Sequence, residues 1–123
     1  MLRERLRGIL RGTSAEDLEG PLEELIGELV GKLDPVAVVV AGSLAKGQFV
    51  RGLSDVDILV VVDQPVRSEE RFSLTSLGGA DAEITVVSLD ELERAVREGN
   101  QFYLDALRNG KIVYARSFAK RKH

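Results

Sequence analysis

Apolar residues in the first part of the chain recur at helical spacing. Leu2, Leu6, Ile9 and Leu10 form one stripe and Gly12 supplies a stop, which predicts a short amphipathic helix. Ser14 and Asp17 stand in a capping-box relation, but a helix begun there carries Pro21 inside it at a cost of about 3 kcal/mol. The second helix is therefore placed from Pro21. Leu22, Leu25, Ile26, Leu29, Val30 and Leu33 give it one apolar face, and Glu23, Glu24 and Glu28 lie on the other.

The periodicity then changes. Val36 to Ala41 contains no polar residue, the pattern of a strand covered on both faces, and it ends at Gly42-Ser43. Asp55 to Val62 is a second strand, apolar on both faces beyond its first residues. Glu83 to Val87 is a third, preceded by Gly78-Gly79 and followed by a helix from Leu89 to Glu98. The stretch from Val66 to Leu77 fits helix or strand, with helix favoured. Gln101 to Arg108 reads as a short helix ended by Gly110, and Ile112-Val113-Tyr114 as an edge strand. The chain divides into an N-terminal helical extension (1–20), one domain (21–116) and a basic tail expected to be disordered (117–123).

Length and composition narrow the class. The 123 residues, 44% hydrophobic and 30% charged, suit one domain with one modest core and leave no room for a second. No apolar run approaches the roughly 20 residues that cross a bilayer, and the N-terminus lacks the apolar segment of a secretory signal. With no cysteine, disulfides, thiolate metal sites and cysteine nucleophiles are excluded, and a cytoplasmic location is expected. The net charge of −3 conceals a division. Residues 1–12 carry four Arg against one Glu, and residues 111–123 carry five basic residues and no acid, which leaves 8 basic and 19 acidic residues between them. A middle section at −11 argues against a general nucleic-acid binder.

The candidate chemistry lies in Ala41-Gly42-Ser43-Leu44-Ala45-Lys46-Gly47, seven further residues, and Asp55-Val56-Asp57. Side chains alternate along a strand, so Asp55 and Asp57 share a face at the mouth of a buried strand. Two carboxylates side by side repel each other unless a cation binds, and oxygen donors without His or Cys favour a hard cation such as Mg²⁺ with a phosphate. Gly42-Ser43, where a strand turns into a short helix, offers backbone N–H groups and a hydroxyl to an anion, and Lys46 adds a point charge. Each feature alone has a plainer explanation: a turn, a loop acid pair, a solvated lysine. Other chemistries fail. His123 is the sole histidine, so triads and His-rich zinc sites are excluded, and Ser43 has no base.

Taken together, Gly42-Ser43, eleven intervening residues and Asp55-Val56-Asp57-Ile58 resemble the Gly-Ser…Asp-h-Asp-h pattern (h, hydrophobic) of the DNA polymerase β nucleotidyltransferase superfamily. Gly42-Ser43-Leu44-Ala45-Lys46-Gly47 with Ser54-Asp55-Val56-Asp57 looks like its minimal nucleotidyltransferase (MNT) branch. The similarity runs from about Leu25 to Tyr114. It implies the nucleotidyltransferase fold, an α/β (α+β) domain with a mixed β-sheet and helices packed against it. It also implies Mg²⁺-dependent transfer of a nucleoside monophosphate, AMP from ATP, to a hydroxyl. The catalytic and metal-binding residues carried over are Asp55, Asp57 and Glu83, with Gly42, Ser43 and Lys46 binding the nucleotide. Glu83 departs from the family's usual Asp, and Asp81, two residues earlier, is the substitute.

The MNT branch further implies a helical HEPN-type partner, the chain acting as the antitoxin of a toxin–antitoxin pair whose toxin hydroxyl receives AMP. A homo-oligomer is the other option for partnership. An inactive nucleotidyltransferase-fold module that works by complex formation alone is the alternative to an active enzyme. The stripe from Leu2 to Leu10 is available either to a partner or to the chain's own core.

Overall fold

The computed structural model describes residues 2–116. Helix α1 (Leu2–Leu10), a 3₁₀ turn (Glu16–Leu18) and helix α2 (Glu19–Leu33) precede strand β1 (Ala37–Ala41), which turns directly into the one-turn helix α3 (Gly42–Ala45). Strand β2 (Val56–Val62), a 3₁₀ turn (Ser68–Glu70), strands β3 (Phe72–Ser76) and β4 (Asp81–Ser88), helices α4 (Leu89–Arg97) and α5 (Gln101–Asn109) and strand β5 (Lys111–Ala115) follow. The five strands lie in the order β3-β4-β2-β1-β5. β2 and β4 are parallel and the other pairs antiparallel, so the sheet is mixed. The architecture is the α+β arrangement expected of a nucleotidyltransferase fold.

Alternation along the central strands builds a core on each face of the sheet. Val38 and Val40 of β1, Val56, Ile58 and Val60 of β2 and Ile84 of β4 pack with Leu6, Leu10, Leu22 and Ile26 from α1 and α2. Val39, Leu59, Val61 and Val87 point the other way, onto Leu92 of α4 and Ala106 of α5. The N-terminal stripe therefore serves the chain's own core: Leu6 and Leu10 are fully buried. Arg3 and Arg7 reach across to Glu23 and Glu19 of α2, which occupies part of the basic N-terminus within the fold.

Two expectations need correction. Helix α2 starts at Glu19, two residues before Pro21. Proline is tolerated there because N–H groups in the first turn have no intrahelical acceptor to lose. The favoured helix over Val66–Leu77 is instead a 3₁₀ turn followed by strand β3, which pairs with β4 through a tight turn closed by Leu77 N–H donating to Ala80 O at 2.8 Å. Gly78, at φ 95°, takes a backbone shape that suits such a hairpin. β3 is an edge strand held by backbone pairing, and Phe72 and Leu74 stay exposed, so the burial rhythm that marks a strand is missing. Tail residues 117–123, expected to be disordered, lie outside the described residues. No helix among the described residues is long and apolar enough to cross a membrane.

Candidate active site

The sheet register brings the acidic residues together. Ala41 of β1 is the cross-strand partner of Asp57 on β2, and Asp57 is in turn aligned with Glu83 on β4. Asp57 and Glu83 thus stand side by side on the α4/α5 face, with Asp55 two residues earlier just before β2 begins. These two strands are parallel, so both present the same N-terminal end to the site. Beyond that end the helices give way and the carboxylates reach water: Asp55 is exposed, and Asp57 and Glu83 are half-buried.

Burial and neighbouring carboxyls together shift Asp57 and Glu83. Burial, reinforced by the Asp55 charge, pushes Asp57 above the usual carboxylate range, while Glu83 and Lys46 pull it partly back. Glu83 is also raised, first by a hydrogen bond with Asp55, then by burial and by the charge of Asp57. A hydrogen bond between two carboxyl groups needs a proton on one of them. Three acids therefore meet at one spot with too little positive charge to satisfy them.

Gly42 and Asp57 touch. Gly42 has φ 66°, a region that side chains rarely adopt, and a Cβ there would collide with Oδ2 of Asp57. Only glycine permits the strand to turn into α3 with the carboxylate lying against its backbone. Ser43 follows within α3, and its carbonyl accepts from Gln48 N–H at 2.8 Å. Lys46 closes the turn, its N–H donating to Gly42 O at 3.2 Å, and the next N–H, of Gly47, donates to Leu44 O at 3.2 Å. Its Nζ lies 3.3 Å from Oδ2 of Asp105 on α5. The Asn109 amide holds the Asp105 carboxyl below the usual range, and Lys46 assists.

Asp81, the substitute third acid, opens β4 opposite Ser76 and is exposed. It lines, with Asp55, Gly52, Ser54 and Gly79, an open cavity of about 320 Å³. This cavity lies toward β3 and β4, whereas Gly42 and Ser43 lie toward β1. The six residues singled out in the sequence thus occupy one end of the sheet, with Glu83 nearer than Asp81 to the Asp pair.

Two contributors escaped the sequence. Arg51 forms a fork on Asp17 at 2.7 and 2.9 Å and also donates to Ser14 O and Gly79 O, which ties the segment before Asp55 to the 3₁₀ turn and to the β3–β4 turn. Asp105 anchors Lys46 across 59 residues. Neither has a local signal, because an ion pair between distant segments exists only once the sheet has formed.

The donors suit a hard cation: they are carboxylate oxygens, and the described residues contain no imidazole or thiol. Among the described residues no three His, Cys, Asp or Glu side chains form a ready coordination cluster. Asp57 and Glu83 are nonetheless both raised, Asp57 by burial and the Asp55 charge and Glu83 by its Asp55 hydrogen bond, burial and the Asp57 charge, so the added positive charge that a divalent ion supplies is favourable there.

No curated protein matches the chain. Residues 22–121 match the family model described as a nucleotidyltransferase domain, covering the Gly42-Ser43 turn and all four acids, and on that match the chain belongs to the nucleotidyltransferase domain family.

Proposed function

We propose that this protein is a Mg²⁺-dependent nucleotidyltransferase of the MNT branch that moves AMP from ATP to a hydroxyl on a HEPN-type partner protein, as the antitoxin of a toxin–antitoxin pair. The observation that carries the nucleotidyl-transfer reading is the meeting of Asp55, Asp57 and Glu83 beside the Gly42-Ser43 turn. The MNT branch, the partner and the antitoxin role rest on the resemblance of the segment from Gly42 to Asp57.

In this reading the triphosphate lies along Gly42 and Ser43, with the Lys46 ammonium beside it. Asp55, Asp57 and Glu83 would hold the metal, which would neutralise phosphate charge and lower the pKa of the acceptor hydroxyl. The acceptor enters from the β3–β4 side, past Asp55 and Asp81, so that attack and departure are in line. Its oxygen bonds to the α-phosphorus, the bond from that phosphorus to the bridging oxygen breaks, and pyrophosphate leaves. Glu83, beside Asp55 and Asp57, takes the hydroxyl proton. Little covalent chemistry is asked of the protein, and placement and charge do most of the work.

The test uses ATP labelled at the α- or the γ-phosphate, with Mg²⁺ and the partner. Label appearing on protein from the α position only supports the reading, and label from neither sinks transfer. A binding-only module is the second reading, favoured by Glu83 standing where relatives usually carry Asp. It expects a stable complex with the partner and no label on either chain.

A further inference from the structure

Lys46 and Asp105 meet where stability alone gives them little reason to. Both side chains are about a third exposed, at 36% and 35%, and a pair so placed contributes little to folding. Yet both ends of the contact are fixed. The Lys46 backbone caps α3. Asp105 is oriented by Asn109, one helical turn on, whose Nδ2 donates to Oδ1 at 2.8 Å. Its neighbour Ala106 is buried against the sheet, so this face of α5 cannot rotate away.

A lysine side chain at the rim of a phosphate site sweeps a wide arc when unrestrained, and fixing it on ligand binding costs rotamer entropy. Asp105 meets that cost before the ligand arrives. One of the three ammonium N–H groups serves the carboxylate, and two remain for phosphate oxygens. We propose that Asp105 is a positioning residue that holds the Lys46 ammonium beside the Gly42-Ser43 turn, ready for the phosphates of a nucleoside triphosphate. The inference rests on the nucleotide reading above and adds a residue to it.

The test is calorimetric titration of the full chain with Mg²⁺ and an ATP analogue whose α,β-bridging oxygen is replaced by methylene, so that binding is read without turnover. Asp105→Asn, which keeps the shape and removes the charge, is expected to weaken binding about 5- to 10-fold, the fold-change equivalent of one side chain's ordering. Asp105→Glu is expected to recover part of the loss. In a Lys46→Met background Asp105→Asn is expected to change nothing further, which a merely structural role does not predict. Asn109→Ala removes only the orienting hydrogen bond and is expected to cost about 2- to 3-fold, a share of the same ordering term; it serves if Asp105→Asn melts early. Wild-type binding with an unchanged Asp105→Asn, or equal losses in both backgrounds, overturns the positioning role alone. Failure of the wild type to bind the analogue overturns the nucleotide reading together with it.

Discussion

Gly42 and Asp57 share a space that holds one side chain: the Asp57 carboxylate fills the position a Cβ on Gly42 would take. The turn and the acid are thereby held close, which in the proposed site places the phosphate-binding turn next to a metal ligand. Gly42→Ala is expected to destabilise the fold by about 1–2 kcal/mol, since φ 66° is unfavourable for an L side chain, and to displace Asp57 as well. Denaturant unfolding gives the first quantity and Mg²⁺-dependent nucleotide binding the second. A variant with wild-type stability and undiminished binding contradicts the close approach.

Asp57→Asn separates folding from binding. The native state raises the Asp57 pKa through burial and the Asp55 charge, so ionising this group costs stability. That cost is absent below the unfolded-state pKa, grows as pH rises toward the folded one, and is complete above it. The Asn variant is accordingly expected to melt at or above the wild-type temperature at pH 7, with the difference shrinking in acid. Metal-dependent nucleotide binding is expected to fall. Unchanged affinity for Mg²⁺ and ATP by calorimetry removes Asp57 from the ligand site.

Much of this is legible in the sequence because the informative signals are local. The β-branched runs of β1 and β2 have no polar interruption, and the two-residue period places Asp55 and Asp57 on one face whatever surrounds them. The sequence alone cannot say that Asp57 aligns with Glu83, since that follows from parallel pairing between segments 26 residues apart. The link from Lys46 to Asp105 is hidden for the same reason. Strand β3 failed differently. Its one-sided pairing leaves Phe72 and Leu74 in solvent, so no buried face imposes a rhythm on the residue types. The α1 stripe was visible as a stripe, but what it packs against depends on where α2 lies over the sheet.

Arg71 and Glu91 predict an acid-sensitive part of the fold away from the candidate site. The Arg71 guanidinium, bonded to both carboxylate oxygens at 3.0 and 2.8 Å, holds Glu91 down to about 2 from an ordinary 4.5. Ser88 contributes through the capping box that starts α4. A depressed pKa means stability that is present above about 4.5 and is lost as pH falls toward 2. The pair is partly solvated, so screening limits its worth to about 1 kcal/mol. Glu91→Gln is expected to lose about that much at pH 7, and its stability should converge on wild type between pH 4.5 and 2. Parallel stability curves across that window rule the pair out as the cause.

In the proposed reaction, the choice between Glu83 and Asp81 decides where proton removal from the acceptor takes place. Glu83 is aligned with Asp57 and in hydrogen-bonding relation with Asp55, whereas Asp81 sits at the exposed start of β4 across from Ser76. Glu83→Gln keeps the size of the side chain and removes its charge. Nucleotide binding is expected to persist, because the Gly42-Ser43 turn, Lys46 and the Asp pair are intact. Transfer is expected to fall by about 100-fold or more, the usual range when a positioned base is lost. Asp81→Asn is expected to stay within about 3-fold of wild type, since screening weakens the influence of an exposed charge that lies off the reacting atoms. Single-turnover transfer from α-labelled ATP, measured for both variants alongside analogue binding, separates chemistry from affinity. An active Glu83→Gln with an inactive Asp81→Asn reverses the assignment and moves the third carboxylate to the edge of the cavity shared with Asp55.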